Sequence, residues 1–308
     1  MEVAISFFNN GENMQYQEAL QIYSLFEYVK NLGCQVQIID YDLYGDKGKN
    51  KLLYNFLEDN TILTSIRYNS INEIKEYPPL ADKYIFVNGN FSQLSVCALD
   101  KNKCIAYGIR EINKDEVESI EQKYQKVSTL FDIKDKNTVR CLDPMFLLDG
   151  SQWNEFSQRS NLMLDEKYVL VYCDNVTNDI LEYSKKVSQN LRVYVVANKM
   201  QLTFFKGKRL KNIMPYDLVK LIKNAQDIIT NFEDAIKLSI IFNKNIHIIL
   251  DEKKDDNYKI EMINEYGLVD RVADLYNDKL EENTDYSEAD EKIDSLKNIT
   301  FNFLKENT

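Results

Sequence analysis

Residues 212–250 read NIMPYDLVKLIKNAQDIITNFEDAIKLSIIFNKNIHIIL, and the order of elements in this stretch decides the fold class. Pro215 suits the first turn of a helix, where its missing N–H is not needed, and Leu218, Leu221, Ile222 and Ala225 follow at helical spacing. Asp227-Ile228-Ile229-Thr230 is a short, mostly apolar run, which predicts a buried strand. Asn231 is placed to cap a second helix by accepting a backbone N–H, with Glu233 and Asp234 in its first turn. Residues 235–242 are apolar on most faces, so this helix is expected to lie buried. Asn243-Lys244 then ends it before a strand at 246–250. Helix, strand, helix and strand joined by short turns form part of an α/β sheet. Ligands of such sheets bind at the carboxyl ends of the strands, so the turn at 230–234 is where function is expected.

Composition narrows the remainder. The chain has 308 residues, 44% of them hydrophobic, with only 9 Gly and 4 Pro, which suits one or two packed domains rather than a disordered or repetitive chain. A net charge of −11 makes nucleic acid an unsuitable partner and disfavours broad adsorption to anionic lipid. No apolar run approaches the length of a membrane span, so no integral membrane association is expected, although peripheral contact is allowed. The N-terminal MEVAISFFNNGEN lacks a positive region and a cleavage site, and reads as a first strand. Cys34, Cys97, Cys104, Cys141 and Cys173 are odd in number and scattered, as expected of buried thiols in a reducing compartment; a cytoplasmic protein is expected.

Before the opening stretch the chain alternates in the same way. A strand at 3–8 precedes a polar turn, a helix marked by Ala19, Ile22, Phe26 and Val29 ends at Gly33, and a strand follows at 34–40. Residues 46–70 predict mainly helix. Strands are expected at 83–87 and 104–108, with a helix at 115–124. Pro144 and the polar residues after it place a domain boundary near Asp149. Strands at 168–172 and 192–197 flank a helix at 179–189 and join the 212–250 unit. A helix at 258–266, an acidic connector at 281–290 and a last helix at 293–304 complete the chain.

Several stretches resemble the polysaccharide pyruvyl transferase family, whose members transfer a pyruvyl ketal from phosphoenolpyruvate to sugars of cell-surface polymers. They are Leu20-Gln21-Ile22-Tyr23, Ile38-Ile39-Asp40-Tyr41, Asp143 to Asp149 (DPMFLLD), Leu221 to Ala225 (LIKNA), Thr230-Asn231 and Ser239 to Lys244 (SIIFNK). The resemblance implies two Rossmann-like α/β domains facing a cleft in the GT-B manner. These are residues 1–149 plus a C-terminal helix at 293–308 crossing back to them, and residues 150–292. The family's chemistry-bearing motifs are replaced. Phe232-Glu233-Asp234-Ala235 stands where the family has Ser-Phe-His-Gly, and Asn88-Gly89-Asn90-Phe91 where it has Gly-Ser-Asp-Gln. Ser128 to Phe131 takes the place of Ser-Val-Arg-Glu, and Gln17 that of a turn glycine. Tyr16 stands for a family tyrosine, and Lys259 for an arginine.

The implied function is ketal transfer to a glycan or lipid-linked sugar in cell-surface polysaccharide biosynthesis, with phosphoenolpyruvate as donor and no other cofactor. The alternatives are a catalytically degenerate member that binds a glycan or partner enzyme, and a nucleotide-sugar glycosyltransferase. For ketal transfer one of Glu233 and Asp234 is the candidate general acid or base, its pKa raised by the other; the competing reading makes both exposed partners of the helix dipole. Two such carboxylates would repel phosphate from the helix N-terminus, leaving Arg110, Arg140 and Arg209 as cationic candidates for a displaced site. Asn9, Asn10, Asn13, Asn88 and Asn90 follow predicted strands and either hydrogen-bond sugar hydroxyls or serve turn geometry. Thr230 and Asn231 join them as candidate binding residues. His247, alone of its kind and mid-strand, reads as a core histidine, which argues against Ser-His-Asp, Cys-His and zinc chemistry.

Overall fold

The computed structural model describes residues 1–7, 15–41, 51–87, 99–110, 119–133, 138–200, 207–250, 257–276 and 283–308. The chain divides into two compact units, Met1–Leu148 with Ile293–Thr308, and Asp149–Lys292.

The first unit contains β1 (Glu2–Phe7), α1 (Tyr16–Asn31), β2 (Gln35–Ile38), α2 (Lys51–Asn60), α3 (Ile71–Glu76), β3 (Lys83–Val87), β4 (Cys104–Ile109), β5 (Lys126–Thr129) and β6 (Thr138–Arg140). Its strands are parallel and ordered β2-β1-β3-β4-β5-β6. Residues 62–68 run beside β2 through the bridges Ile38–Leu63 and Tyr41–Tyr68, so the chain steps outward from β1 before crossing to β3. The switch point of this sheet therefore lies between β1 and β3, where Phe7 is in register with Val87. Asn9, Asn10 and Asn13 follow β1, and Asn88 and Asn90 follow β3; all five lie outside the described residues. The predicted face of α1 (Ala19, Ile22, Phe26 and Val29) is buried, and Gly33 turns the chain into β2 at φ +88°, a conformation that suits glycine. Of the helix expected over 46–70, residues 46–50 lie outside the described residues, and α2 ends at Asn60 because Leu63 and Tyr68 are recruited to the sheet edge instead.

The second unit contains α4 (Gly150–Ser157), β7 (Tyr168–Val176), α5 (Asn178–Ser188), β8 (Arg192–Met200), β9 (Lys208–Arg209), α6 (Pro215–Asn224), β10 (Asp227–Thr230), α7 (Glu233–Phe242), β11 (Asn245–Ile248) and α8 (Asn257–Glu265). Its parallel strand order is β11-β10-β7-β8-β9, with the switch point between β7 and β10. One face, with Val169, Val171, Cys173, Val193, Val195 and Ile229, packs against Ile180, Leu181, Tyr183 and Val187 of α5. The other face meets α6 and α7. There Tyr168 donates its hydroxyl to the Leu221 carbonyl, and Tyr172 donates to Asp234. The last helix, α9 (Ser287–Asn307), starts in the second unit and ends in the first; it begins six residues before the predicted start, inside the acidic stretch.

Within the first unit, the buried Thr300 hydroxyl of α9 accepts the Leu142 N–H at 2.8 Å, and Tyr107 donates to the Leu142 carbonyl at 2.8 Å. Thr300→Val keeps the volume and strands that amide. A loss of about 1–2 kcal/mol is expected in urea unfolding, and an unchanged midpoint would show that this bond contributes nothing.

Candidate functional site

The carboxyl edge of the second sheet is stepped. Thr230, the last residue of β10, is in register with Tyr172, whereas β7 and β8 continue together as far as Val176 and Met200. The sequence suggested a strand ending at 172; Cys173 and Val176 are both buried, which extends it. The chain leaves β10 at this step. The Thr230 hydroxyl accepts the Phe232 N–H at 3.0 Å and shapes the turn. The Asn231 carboxamide accepts the Asp174 N–H at 3.0 Å. Asn231 therefore does not cap α7, as its position had suggested. Phe232 is the residue before the first turn, without a side-chain cap, and its ring lies 4.4 Å from that of Tyr172 at 32°. Thr230 is fully buried, so both predicted binding residues first serve the local backbone.

Glu233 and Asp234 occupy the first turn of α7, and their surroundings correct the expectation of exposed dipole partners. Asp234 is 1% exposed. One of its oxygens accepts the Tyr172 hydroxyl at 3.0 Å and the other accepts the Ala235 N–H at 2.9 Å. Burial pushes its pKa up to about 6, against the opposing pull of Tyr172, the Ala235 amide and Lys237; the Glu233 charge adds a smaller push upward. The physical reason is the helix itself: α7 is apolar on nearly every face, so its first turn is carried under cover with the rest. The Glu233 side chain is 13% exposed and pairs with Lys237 one turn on, at 3.6 Å.

Lys237 was missed in the sequence. It is 1% exposed, and its ammonium lies 5.8 Å from the centre of the Tyr258 ring. Its signal was available: it is the one charged residue between Ala235 and Phe242, four places after an acid. Lys259, on α8 beside Tyr258, is 6% exposed. Its charge favours the Cys173 thiolate, but burial dominates and pushes that thiol up to about 12, which leaves Cys173 inert as a nucleophile. The structure thus brings Asp234, Glu233 and Lys237 together behind the turn, with Lys259 on the neighbouring helix.

The other candidates lie elsewhere. Tyr16 opens α1 in the first unit, half-buried. Arg140 pairs with Asp132 at 2.5 Å, and Arg209 reaches the Ala197 carbonyl at 3.2 Å. His247 is a buried strand residue, as expected, with Nδ1 2.9 Å from the Tyr183 hydroxyl and Nε2 3.6 Å from Asp227. Among the described residues no cluster of three or more His, Cys, Asp or Glu could hold a metal ion, and no helix is long and apolar enough to cross a membrane.

No protein-family model matches the chain, and no curated protein matches its sequence. Solved structures do match along nearly the whole length. UDP-GlcNAc 2-epimerase from Neisseria meningitidis bound to UDP-GlcNAc is 11% identical, with a TM-score of 0.55 over 100% of this chain and 94% of that one. MnaA from S. aureus with UDP is 12% identical, with a TM-score of 0.56 over 100% and 92%. The glycosyltransferase SnogD from Streptomyces nogalater is 8% identical, with a TM-score of 0.51 over 97% and 94%. At these identities the likeness concerns architecture, and it gives the chain its fold: two parallel-sheet α/β domains of the GT-B type.

Proposed function

We propose that the chain binds a nucleotide-linked sugar and acts on it in cytoplasmic glycan biosynthesis, with a glycan or lipid-linked sugar as the acceptor. The observation that supports this reading most is the buried ionisable group behind the second sheet's switch point. Asp234, with its pKa pushed up to about 6, can hold or release a proton near neutral pH. Lys237 and Lys259 supply positive charge on that side of the turn. The same architecture holds UDP-GlcNAc in the Neisseria meningitidis enzyme and UDP in S. aureus MnaA.

The stretches that resemble pyruvyl transferases support a second reading, ketal transfer from phosphoenolpyruvate. An acceptor hydroxyl would add to C2 of the donor while Asp234 protonates its methylene carbon. The neighbouring hydroxyl would then close the ketal and expel inorganic phosphate. Asp234 occupies the place of that family's histidine, so the acid would be a carboxyl group rather than an imidazole.

Calorimetric titration separates the two. Under the first reading UDP-GlcNAc binds, and Lys259→Met weakens it about tenfold, the typical size of one lost charged contact. Absence of binding by UDP-GlcNAc and UDP at millimolar concentration, together with phosphate release from phosphoenolpyruvate and a glycan, would replace it with the second.

A further inference from the structure

Strand alternation and register place Tyr172, Asp174 and Asn198 on one face of the projecting β7–β8 pair, the face that α7 covers lower down. Asp174 lies between the register pairs Cys173–Ala197 and Asn175–Lys199, opposite Asn198, whose amide donates to its carboxylate at 2.9 Å. Asn231 arrives from β10 and reaches the Asp174 N–H. Beside this polar group stands Phe232, half-buried, with its ring against Tyr172. The Tyr172 ring is itself held by its hydroxyl bond to the buried Asp234. An aromatic surface backed by a second ring therefore meets two carboxamides and a carboxylate at the point where the strand order reverses.

We infer that this ledge, with Phe232 as platform and Asp174, Asn198 and Asn231 as polar rim, is a binding subsite for the uncharged pyranose ring of a sugar ligand. The chemistry matches on both sides. A pyranose presents one face of C–H groups, which packs on the negative face of an aromatic ring, and an edge of hydroxyls that each donate and accept. Carboxylate oxygens accept from such hydroxyls, and carboxamides do both. The Asn231 N–H donors and the Asn198 carbonyl oxygen are not used in the contacts that join these residues. Asp174 lies within the ledge and Glu233 follows Phe232 in the chain, so the rim suits a neutral ring better than a phosphate. The subsite deepens the proposed function by locating the sugar moiety, and it rests on that reading only for the identity of the whole ligand.

The test uses neutral probes, so that it stands apart from nucleotide binding. Methyl glycosides of N-acetylglucosamine and galactose are titrated into the isotope-labelled full chain, with uridine as a separate arm. The expected result is perturbation of the Phe232, Asp174 and Asn198 resonances by a glycoside, weakened about tenfold in Phe232→Ala and Asn198→Ala and retained in Phe232→Tyr. Asn198 is exposed, so Asn198→Ala reports on binding even where loss of the ring disturbs folding. Glycoside binding that neither substitution weakens, perturbation of these residues by uridine alone, or no glycoside binding at all would each overturn the subsite. Glycoside binding here without any binding of UDP-GlcNAc or UDP would leave the subsite standing and remove the nucleotide-sugar reading.

Discussion

Asp234→Asn is expected to stabilise the fold by about 3 kcal/mol at pH 8 and to change it little at pH 4. The carboxyl titrates near its ordinary value of 3.8 when unfolded and at about 6 when folded, because burial disfavours the charge. About two pKa units at 1.36 kcal/mol each give that magnitude. The folded state holds the proton more tightly than the unfolded state does. Relative stability is therefore fully present below about pH 4 and lost as the pH rises through about 6. Asparagine keeps an oxygen for the Ala235 N–H and places an amide beside the Tyr172 hydroxyl, so the geometry survives while the charge is removed. Urea midpoints of the two proteins from pH 4 to pH 8 should diverge toward alkaline pH. Parallel curves across that range would mean that the carboxylate is not paying a desolvation penalty.

Lys237→Met has the opposite sign. The ammonium is buried, and Glu233 faces it at 3.6 Å. Removing it leaves Glu233 and the ionised Asp234 without their nearest buried cation, and taking away one member of a buried pair destabilises by about 3 kcal/mol. The loss should shrink at pH 5, where Asp234 takes up a proton. Glu233→Gln in the Lys237→Met background should recover part of it, because the uncompensated charge goes as well. Chemical denaturation of the single and double variants at pH 8 and pH 5 measures both effects. If the double variant were no more stable than Lys237→Met, the pair would not be the source of the loss.

The parallel sheets were legible because each strand was a short apolar run between helical periods. Asp227–Thr230 is a strand where the pattern placed it, and Asn243 ends α7 in a left-handed conformation at φ 51°. Less legible was anything set by neighbours distant in sequence. β7 extends to Val176 because β8 pairs with it along its whole length, and nothing local to residues 173–176 announces that partner. Asp234 goes under cover with the apolar helix that carries it, and its hydrogen-bond donor, Tyr172, lies 62 positions away, so an acid in a first turn looked like a surface group. The same holds for Asn231, whose partner is the Asp174 amide rather than the next turn of helix. Phe232 read as a departure from a family motif, and its role as a ring stacked on Tyr172 emerged only from the fold.

The carboxamide of Asn231 also guards against self-association. Where β10 stops, β7 runs on, and among the described residues no strand covers its flank on that side, the kind of surface to which another extended chain adds by forming a ladder. By accepting the Asp174 N–H, the side chain shields the flank just beyond the end of β10, where such a ladder would start. Small uncharged replacements at 231 would thus show themselves less in melting temperature than in the tendency of concentrated protein to aggregate.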